Sequence, residues 1–524
     1  MTVLYLLTRN FSSDQKAVTA ALKNAGVKRV YLVPLEYGCE EKVSRFEELW
    51  KIEGIDARTC DFLSRFNQQA FQEKDNYIKF FAEVGDGAVE AGRSLKEHLR
   101  LFNRNFSLWW FSLIAEKNSY RSLNFTKLAK IKAIAELKAE TLSERIWAEG
   151  DFGGIAKILR NIFGVHALVN LKKQNVWGRF KESPMFFFLE EQLRAAKYFF
   201  EILGRAVKVR RLARSFKNRL SHLKASRFLL LTMFPLLDKK ALEEENRFVN
   251  RAYGALHDGV KDRCGGSYTW IAMYTYIEGY RFDQALKLAS QVNRSEPLFF
   301  FEEFMHIKEF FKIIGVYFYS LMKTLFFWPR YGDCFFYDFG NGARSKVWPL
   351  FKKEFISSFA GKELMVSLCF YYAFERMLNQ FNQTGKVVYF SEMHAWENVL
   401  NISLKKHPSM TAVGLQHTIV PLLLLNYFHG EGELAGHSSV EHFPRPHFLA
   451  CTGEVTRQLF LENKWPQSEI LILGAFRFQR LLSLLNGQKL KDRASRLVVA
   501  AFSISDIENE EVLRLLHAAF NRKS

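Results

Sequence analysis

The chain has 524 residues, 48% of them apolar and 25% charged, with a formal charge of +19. That length calls for two or three domains, and the apolar fraction is that of a globular protein, which excludes a disordered or fibrous chain. Six scattered cysteines (Cys39, Cys60, Cys264, Cys334, Cys369 and Cys451) contain no CxxC pair, which argues against a disulfide framework and fits a reducing cytoplasm.

The first apolar run, Val3–Leu7, follows no basic segment and is too short for a signal peptide, so it reads as a strand. A helix capped by Ser12 or Ser13 and stopped at Gly26, a strand 29–35 and a helix 41–51 continue a βαβ alternation, the pattern of a Rossmann-like layer. Helices are expected over 75–84, 89–102 and 125–140, and a short strand over 145–147. Between them lies NFSLWWFSLIAEKN, residues 105–118. Trp109 and Trp110 with Glu116, Lys117 and Asn118 allow two readings: an aromatic platform beside charged groups for a sugar, or a core Trp pair with solvated charges.

From Pro184 the chain alternates apolar and cationic positions at helical spacing, and Arg205–Arg227 carries nine Lys/Arg and no acid. Such a basic helix fits a connector that lies on membrane phosphates through Arg210, Arg211, Arg214 and Lys217. The expected division is an α/β domain over 1–183, this connector over 184–227, a second α/β domain over 228–485, and the beginning of a further Rossmann-like unit over 486–524. Within the second domain, 228–233 reads as a strand, 265–280 and 283–291 as helices, 302–325 as a long aromatic helix, and 348–359 and 363–381 as helices. No apolar run of about 20 residues lacks charge, so no transmembrane helix is expected; the nearest, 313–328, contains Lys323. Gly340-Asn341-Gly342 lacks the spacing of a P-loop. The 51 phenylalanines, clustered at 186–188, 299–301 and 335–336, suggest an aromatic core.

The chemistry concentrates in Val387–Leu425. It reads as strand, polar turn, helix, strand, polar turn, and ligands of open α/β sheets bind beyond the carboxyl ends of such strands. Glu392 ends the first strand and His417 the second, which makes them candidate catalytic groups, against the blander reading of satisfied structural side chains. Trp396, Gln416 and Thr418 flank them; Glu397 suits a structural role in the first helical turn. Seven of the 13 histidines fall between His394 and His447, but no spacing matches a zinc site, and no metal is expected. A polar loop follows over 429–447; at that length such a loop is functional or mobile. Strands are expected at 448–451, 469–473 and 497–501, with Arg477 in the GAFR turn and a last helix at 509–520. No nucleic-acid-binding motif accompanies the positive charge, so no nucleic-acid partner is expected.

The segments NFSLWWFSLIAEKNSYRS, FLLLTMFPLLD, VVYFSEMHAWENVL, GLQHTIVPLLLLNYF, FLACTGEVTRQLF and ILILGAFRFQRL, in this order, resemble bacterial surface-carbohydrate biosynthesis proteins of O-antigen and capsule loci, themselves similar to GT-B glycosyltransferases. The resemblance implies Rossmann-like domains in a GT-B-like arrangement. It implies transfer of a sugar from a nucleotide sugar to a glycan or lipid-linked acceptor, without a bound metal or other cofactor, at the cytoplasmic face of the inner membrane. It also implies that most of the nucleotide-binding domain would be missing after Ser524, leaving either a partner chain to supply it or a non-catalytic scaffold as the alternative.

Overall fold

In the computed structural model the protein is mixed α/β, built on two wholly parallel sheets. The described residues are 1–8, 15–36, 38–101, 105–148, 154–164, 168–170, 183–214, 216, 219–277, 280–340, 343–476, 500 and 506–520. Residues 1–477 form one compact unit and 478–524 another; in the second, a helix spans Asp506–Phe520. The expected strand at 497–501, and the candidates Lys217 and Arg477, lie outside the described residues.

The first sheet contains β1 (Thr2–Leu7), β2 (Arg29–Pro34), β3 (Asp56–Thr59), β4 (Arg145–Ala148) and β5 (Leu168–Asn170) in the order β3-β2-β1-β4-β5. Helices α1 (Gln15–Asn24) and α2 (Glu40–Ile52) supply the first crossovers, as the alternation predicts. Helix α3 runs over Phe62–Asp86, well beyond the expected 75–84, and α4 over Asn124–Glu140. The expected helix 89–102 is instead a two-stranded hairpin, 88–90 with 93–94, followed by one helical turn, Leu95–His98. Ala91 and Gly92 both take positive φ there, a turn conformation that a helix cannot contain.

The second sheet contains β6 (Phe228–Phe234), β7 (Tyr268–Tyr274), β8 (Leu298–Phe300), β9 (Lys386–Phe390), β10 (Thr411–Leu415), β11 (Phe448–Cys451) and β12 (Ile470–Ile472). Its order, β8-β7-β6-β9-β10-β11-β12, winds outward from β6 in one direction and from β9 in the other. Strand β7 corrects the helix expected at 265–280. Its sequence YTWIAMY is buried almost throughout and is paired on both sides, and a strand covered on both faces gives an unbroken apolar run that no period identifies. The seven strands close within residues 228–472, so two doubly wound sheets stand without residues 486–524.

Helix α5 (Pro184–Ala213) joins the sheets. Ser183 caps it, its Oγ accepting the Phe186 N–H at 3.2 Å, and Pro184 starts it. It is followed after β6 by α6 (Ala255–Cys264) and α7 (Phe282–Val292). Three helices then form the crossover from β8 to β9: α8 (Ile307–Gly332), α9 (Trp348–Ala360) and α10 (Lys362–Gln380). By length and composition α8 is long and apolar enough to cross a membrane. Helix α11 (Ala395–Leu404) follows β9, and α12 (Glu454–Glu462) follows β11.

The connector is docked rather than free. Lys208 pairs with Asp283 at 2.7 Å, Arg219 with Glu303 at 3.0 Å, and Arg205 with Glu302 at 3.8 Å. Three of its cations therefore face the second domain, while Arg211 and Arg214, at the end of α5, and Lys224 and Arg227 remain exposed. The phenylalanines are largely core, Phe80, Phe335, Phe351 and Phe355 meeting in one cluster of edge-to-face and tilted rings.

Candidate functional site

The strand order reverses between β6 and β9, and at the carboxyl edge of that switch point a parallel sheet leaves a crevice for ligand. Tyr253 locks the two strands there, its hydroxyl donating toward the Leu231 carbonyl at 2.8 Å and the Val388 carbonyl at 3.1 Å. Beyond Phe390 the chain makes a tight turn, Ser391-Glu392-Met393-His394, with Met393 at φ 57°. Glu397, in the first turn of α11, holds this turn together. Its carboxylate accepts the Glu392 N–H at 2.9 Å, the His394 N–H at 3.1 Å and the Ser391 hydroxyl at 3.1 Å. Burial pushes the Glu397 carboxyl up to about 7, against the nearby His394 charge and these backbone donors. Its role is to shape the strand end, which agrees with the structural reading of that residue.

The turn aims a line of alternating charges outward. The guanidinium of Arg121 donates to Glu116 Oε2 at 3.1 Å, and Glu116 Oε1 lies 3.0 Å from His394 Nδ1. Its Oε2 also accepts the Ala395 N–H at 3.0 Å. His394 Nε2 lies 3.3 Å from Glu392 Oε2, and Glu392 Oε1 lies 3.5 Å from His417 Nε2. From Glu116 to Glu392 exposure rises: the Glu116 side chain is 0% exposed, that of His394 26% and that of Glu392 38%, with His417 beyond it at 18%. The ring of His417 rests against Phe390, centroids 4.5 Å apart.

Burial alone would strip the charge from His394, but its hydrogen bonds to Glu116 and Glu392 outweigh that and raise it to about 10. Burial likewise opposes charge on Glu116, yet the His394 hydrogen bond and the Arg121 charge hold it below its ordinary value. His394 is therefore an imidazolium at neutral pH, a fixed positive charge beside Glu392 rather than a proton acceptor. Glu392, open to solvent between two imidazoles, is the group of this line that a substrate can reach.

The structure thus brings Glu392 and His417 together and joins to them Glu116 and His394. His394 was not singled out in the sequence; its signal was its place two residues after Glu392, on the same strand-end turn. Gln416 is buried, its Oε1 accepting both the N–H and the hydroxyl of Thr452 at 2.9 Å, which ties the end of β10 to that of β11. Its amide group also donates to the Thr418 carbonyl. Trp396 is half-buried against Tyr389. Between Tyr253, Phe390, His417 and Thr452 a cavity of about 20 Å³ remains, room for roughly one water molecule.

The 105–118 segment bears out the core reading of its Trp pair and corrects the sugar platform and the solvated charges. Trp109 and Trp110 lie in a 3₁₀ turn with both rings fully buried, so they offer no platform to a sugar. The Trp110 indole N–H donates to the Val440 carbonyl at 3.2 Å, and its own carbonyl accepts from Asn398 at 3.0 Å. Glu116, Lys117 and Asn118 are buried too, not solvated. Asn118 accepts the Tyr120 N–H at 3.0 Å, a local turn. Lys117 and Lys96 flank the buried carboxylate of Glu433 at 3.7 and 3.8 Å. That anchor fixes the long polar loop 429–447 to the first domain, and within the loop the His429 ring lies tilted against Phe443, centroids 3.9 Å apart. Among the described residues no group of three or more His, Cys, Asp or Glu side chains is placed to hold a metal ion.

Comparison of the chain with protein-family models, with curated proteins and with solved structures gives no match.

Proposed function

We propose that the protein is a glycosyltransferase of surface-polysaccharide assembly with a GT-B-type pair of Rossmann-like domains. One observation carries the reading: Glu392 stands between the His394 imidazolium and His417 at the carboxyl edge of the switch point in the second sheet. The presence of two doubly wound sheets supports it, because both halves of such an enzyme are then supplied by residues 1–476 and no partner chain is required for the second. In this reading the first domain faces the glycan or lipid-linked acceptor, and the second holds the nucleotide sugar.

Glu392 accepts the proton of the acceptor hydroxyl as its oxygen bonds to the anomeric carbon. The bond from that carbon to the donor phosphate breaks, and the electron pair leaves with the nucleotide. His417 orients the Glu392 carboxylate, and the fixed charge of His394 favours its ionised form.

The test is release of nucleotide from a panel of nucleotide sugars in the presence of a lipid-linked acceptor. Glu392→Gln is expected to lower the turnover by about 10²–10⁴-fold, the usual contribution of a general base, and His417→Ala by a smaller factor. Full turnover in both variants would overturn the assignment of the site.

A further inference from the structure

We propose that α5 and α8 form a membrane-seated face, and that the arginine-lined groove at one end of it takes the phosphate headgroup of an anionic lipid. The inference stands apart from the transfer reaction. The two helices lie side by side and antiparallel: Phe199 meets Phe310 at 5.4 Å, and Phe188 meets Trp328 at 5.5 Å. Each turns an apolar stripe away from the protein. On α8 it is Ile307, Phe311, Phe318, Met322 and Phe326, at intervals of four and seven, with Phe311 70% and Phe326 79% exposed. On α5 it is Met185, Leu189, Leu193, Phe200 and Val207, again at intervals of four and seven. Intervals of four and seven keep side chains on one face of a helix, so these are two continuous exposed stripes rather than scattered residues.

The charges select the occupant. The one acid of α8, Glu309, is buried, and the charged residues on its outer side are Lys308, Lys312 and Arg330. The outer acids of α5, Glu190 and Glu201, are each paired with an arginine one turn on, Arg194 and Arg205. An apolar face edged by cations matches the interface of an anionic leaflet, with acyl chains against the stripe and phosphates against the basic rim.

The end of the face adds a built site. Where α5 finishes and α8 begins, a groove of about 590 Å³ is lined by Arg210, Arg214, Arg219, His306 and Arg376, with Phe216 and Phe304. Nitrogens Nε and Nη2 of Arg210, Nε of Arg219 and Nε of Arg376 are buried there without a hydrogen-bond partner among the described residues. Buried donors without acceptors cost free energy, and burial together with the neighbouring Arg376 lowers Arg210 below its ordinary value. A phosphate monoanion or diester supplies the missing acceptors, since guanidinium groups bind phosphate oxygens in forked pairs. Glu303, the groove's carboxylate, is already paired with Arg219 at 3.0 Å.

The test is flotation of the full chain with phosphatidylcholine vesicles made with and without phosphatidylglycerol. Wild type is expected to float with the phosphatidylglycerol vesicles, and the double variant F311E/M322E, whose sites are exposed, to partition about tenfold less. The variant R210Q/R214Q is expected to lose the preference for phosphatidylglycerol while keeping its circular dichroism spectrum. Failure of wild type to float, or equal flotation of F311E/M322E, would remove the membrane face. A wild-type dimer that F311E/M322E splits into monomers would assign the face to a second copy instead. An undiminished phosphatidylglycerol preference in R210Q/R214Q would remove the headgroup site. None of these outcomes depends on turnover, so they remain distinct from the test of Glu392.

Discussion

Replacing Glu116 with leucine is expected to destabilise the fold by about 3–5 kcal/mol, the range found when one partner of a buried ion pair is removed. Three donors lose their acceptor at once: the Arg121 guanidinium, the Ala395 N–H and the His394 ring. Urea denaturation at neutral pH measures the loss. The conservative variant Glu116→Gln separates packing from charge. It fills the same space, yet the ring-proton titration of His394, raised to about 10 in the wild type, should move downward. The pair also has a pH window. The Glu116 carboxyl is held below its ordinary 4.5, so its share of stability is present above that value and is lost as pH falls. His394 is raised from 6.5, so its share is complete below 6.5 and is lost as pH rises toward 10. The contact is strongest between about 4.5 and 6.5. A wild-type-like midpoint in Glu116→Leu and an unmoved titration in Glu116→Gln would show that this contact does not organise the site.

The second large effect concerns alkaline stability. Glu302 is wholly buried in the 3₁₀ turn after β8, and neither carboxyl oxygen has a hydrogen-bond partner among the described residues. Burial raises it from 4.5 to about 8, opposed by its own backbone and by Arg205. The folded chain therefore holds a proton that the unfolded chain releases. Stability is complete below 4.5 and falls as pH climbs from 4.5 to 8, by on the order of 5 kcal/mol for this group. Glu303 and Glu354, both raised to about 7 by burial, slope the same way. Glu302→Gln keeps the shape and removes the titration. The expected result is a wild-type urea midpoint that drops between pH 5.5 and 8.5, and a much shallower drop in the variant. Equal slopes in the two proteins would contradict the assignment.

The strands at the heart of each sheet were legible because short β-branched runs sit between turn residues: Val3–Leu7 and Val387–Phe390 are each within one residue of the observed limits. Glu392 and His417 were legible because a strand end in an α/β alternation has a known direction. What escaped had a physical cause in each case. Strand β7 is buried on both faces and so carries no alternation. Strands β3, β5 and β8 are only three or four residues long. The role of Glu116 escaped because its partner His394 is 278 positions away, and local pattern cannot report such a contact. The Trp pair was ambiguous because an aromatic pair before charged residues looks alike in a core and at a sugar site. The bare stripe of α8 was hidden by its strength: an apolar helix reads as core until its neighbours are placed.

The wide separation of Glu116 from His394 has a kinetic meaning. Strands β6 and β9, which flank the switch point, are joined only after a crossover that contains α8, α9 and α10, and the first-domain carboxylate that charges His394 was laid down long before. Contacts of such high sequence separation form late, after the entropy of closing the intervening chain has been met. Each sheet can nucleate on its own local βα units, but the charge line is assembled only when the two have docked. The site is therefore complete only in the fully folded chain, and a chain stalled with its sheets apart would present Glu392 without the Glu116–His394 contact beside it.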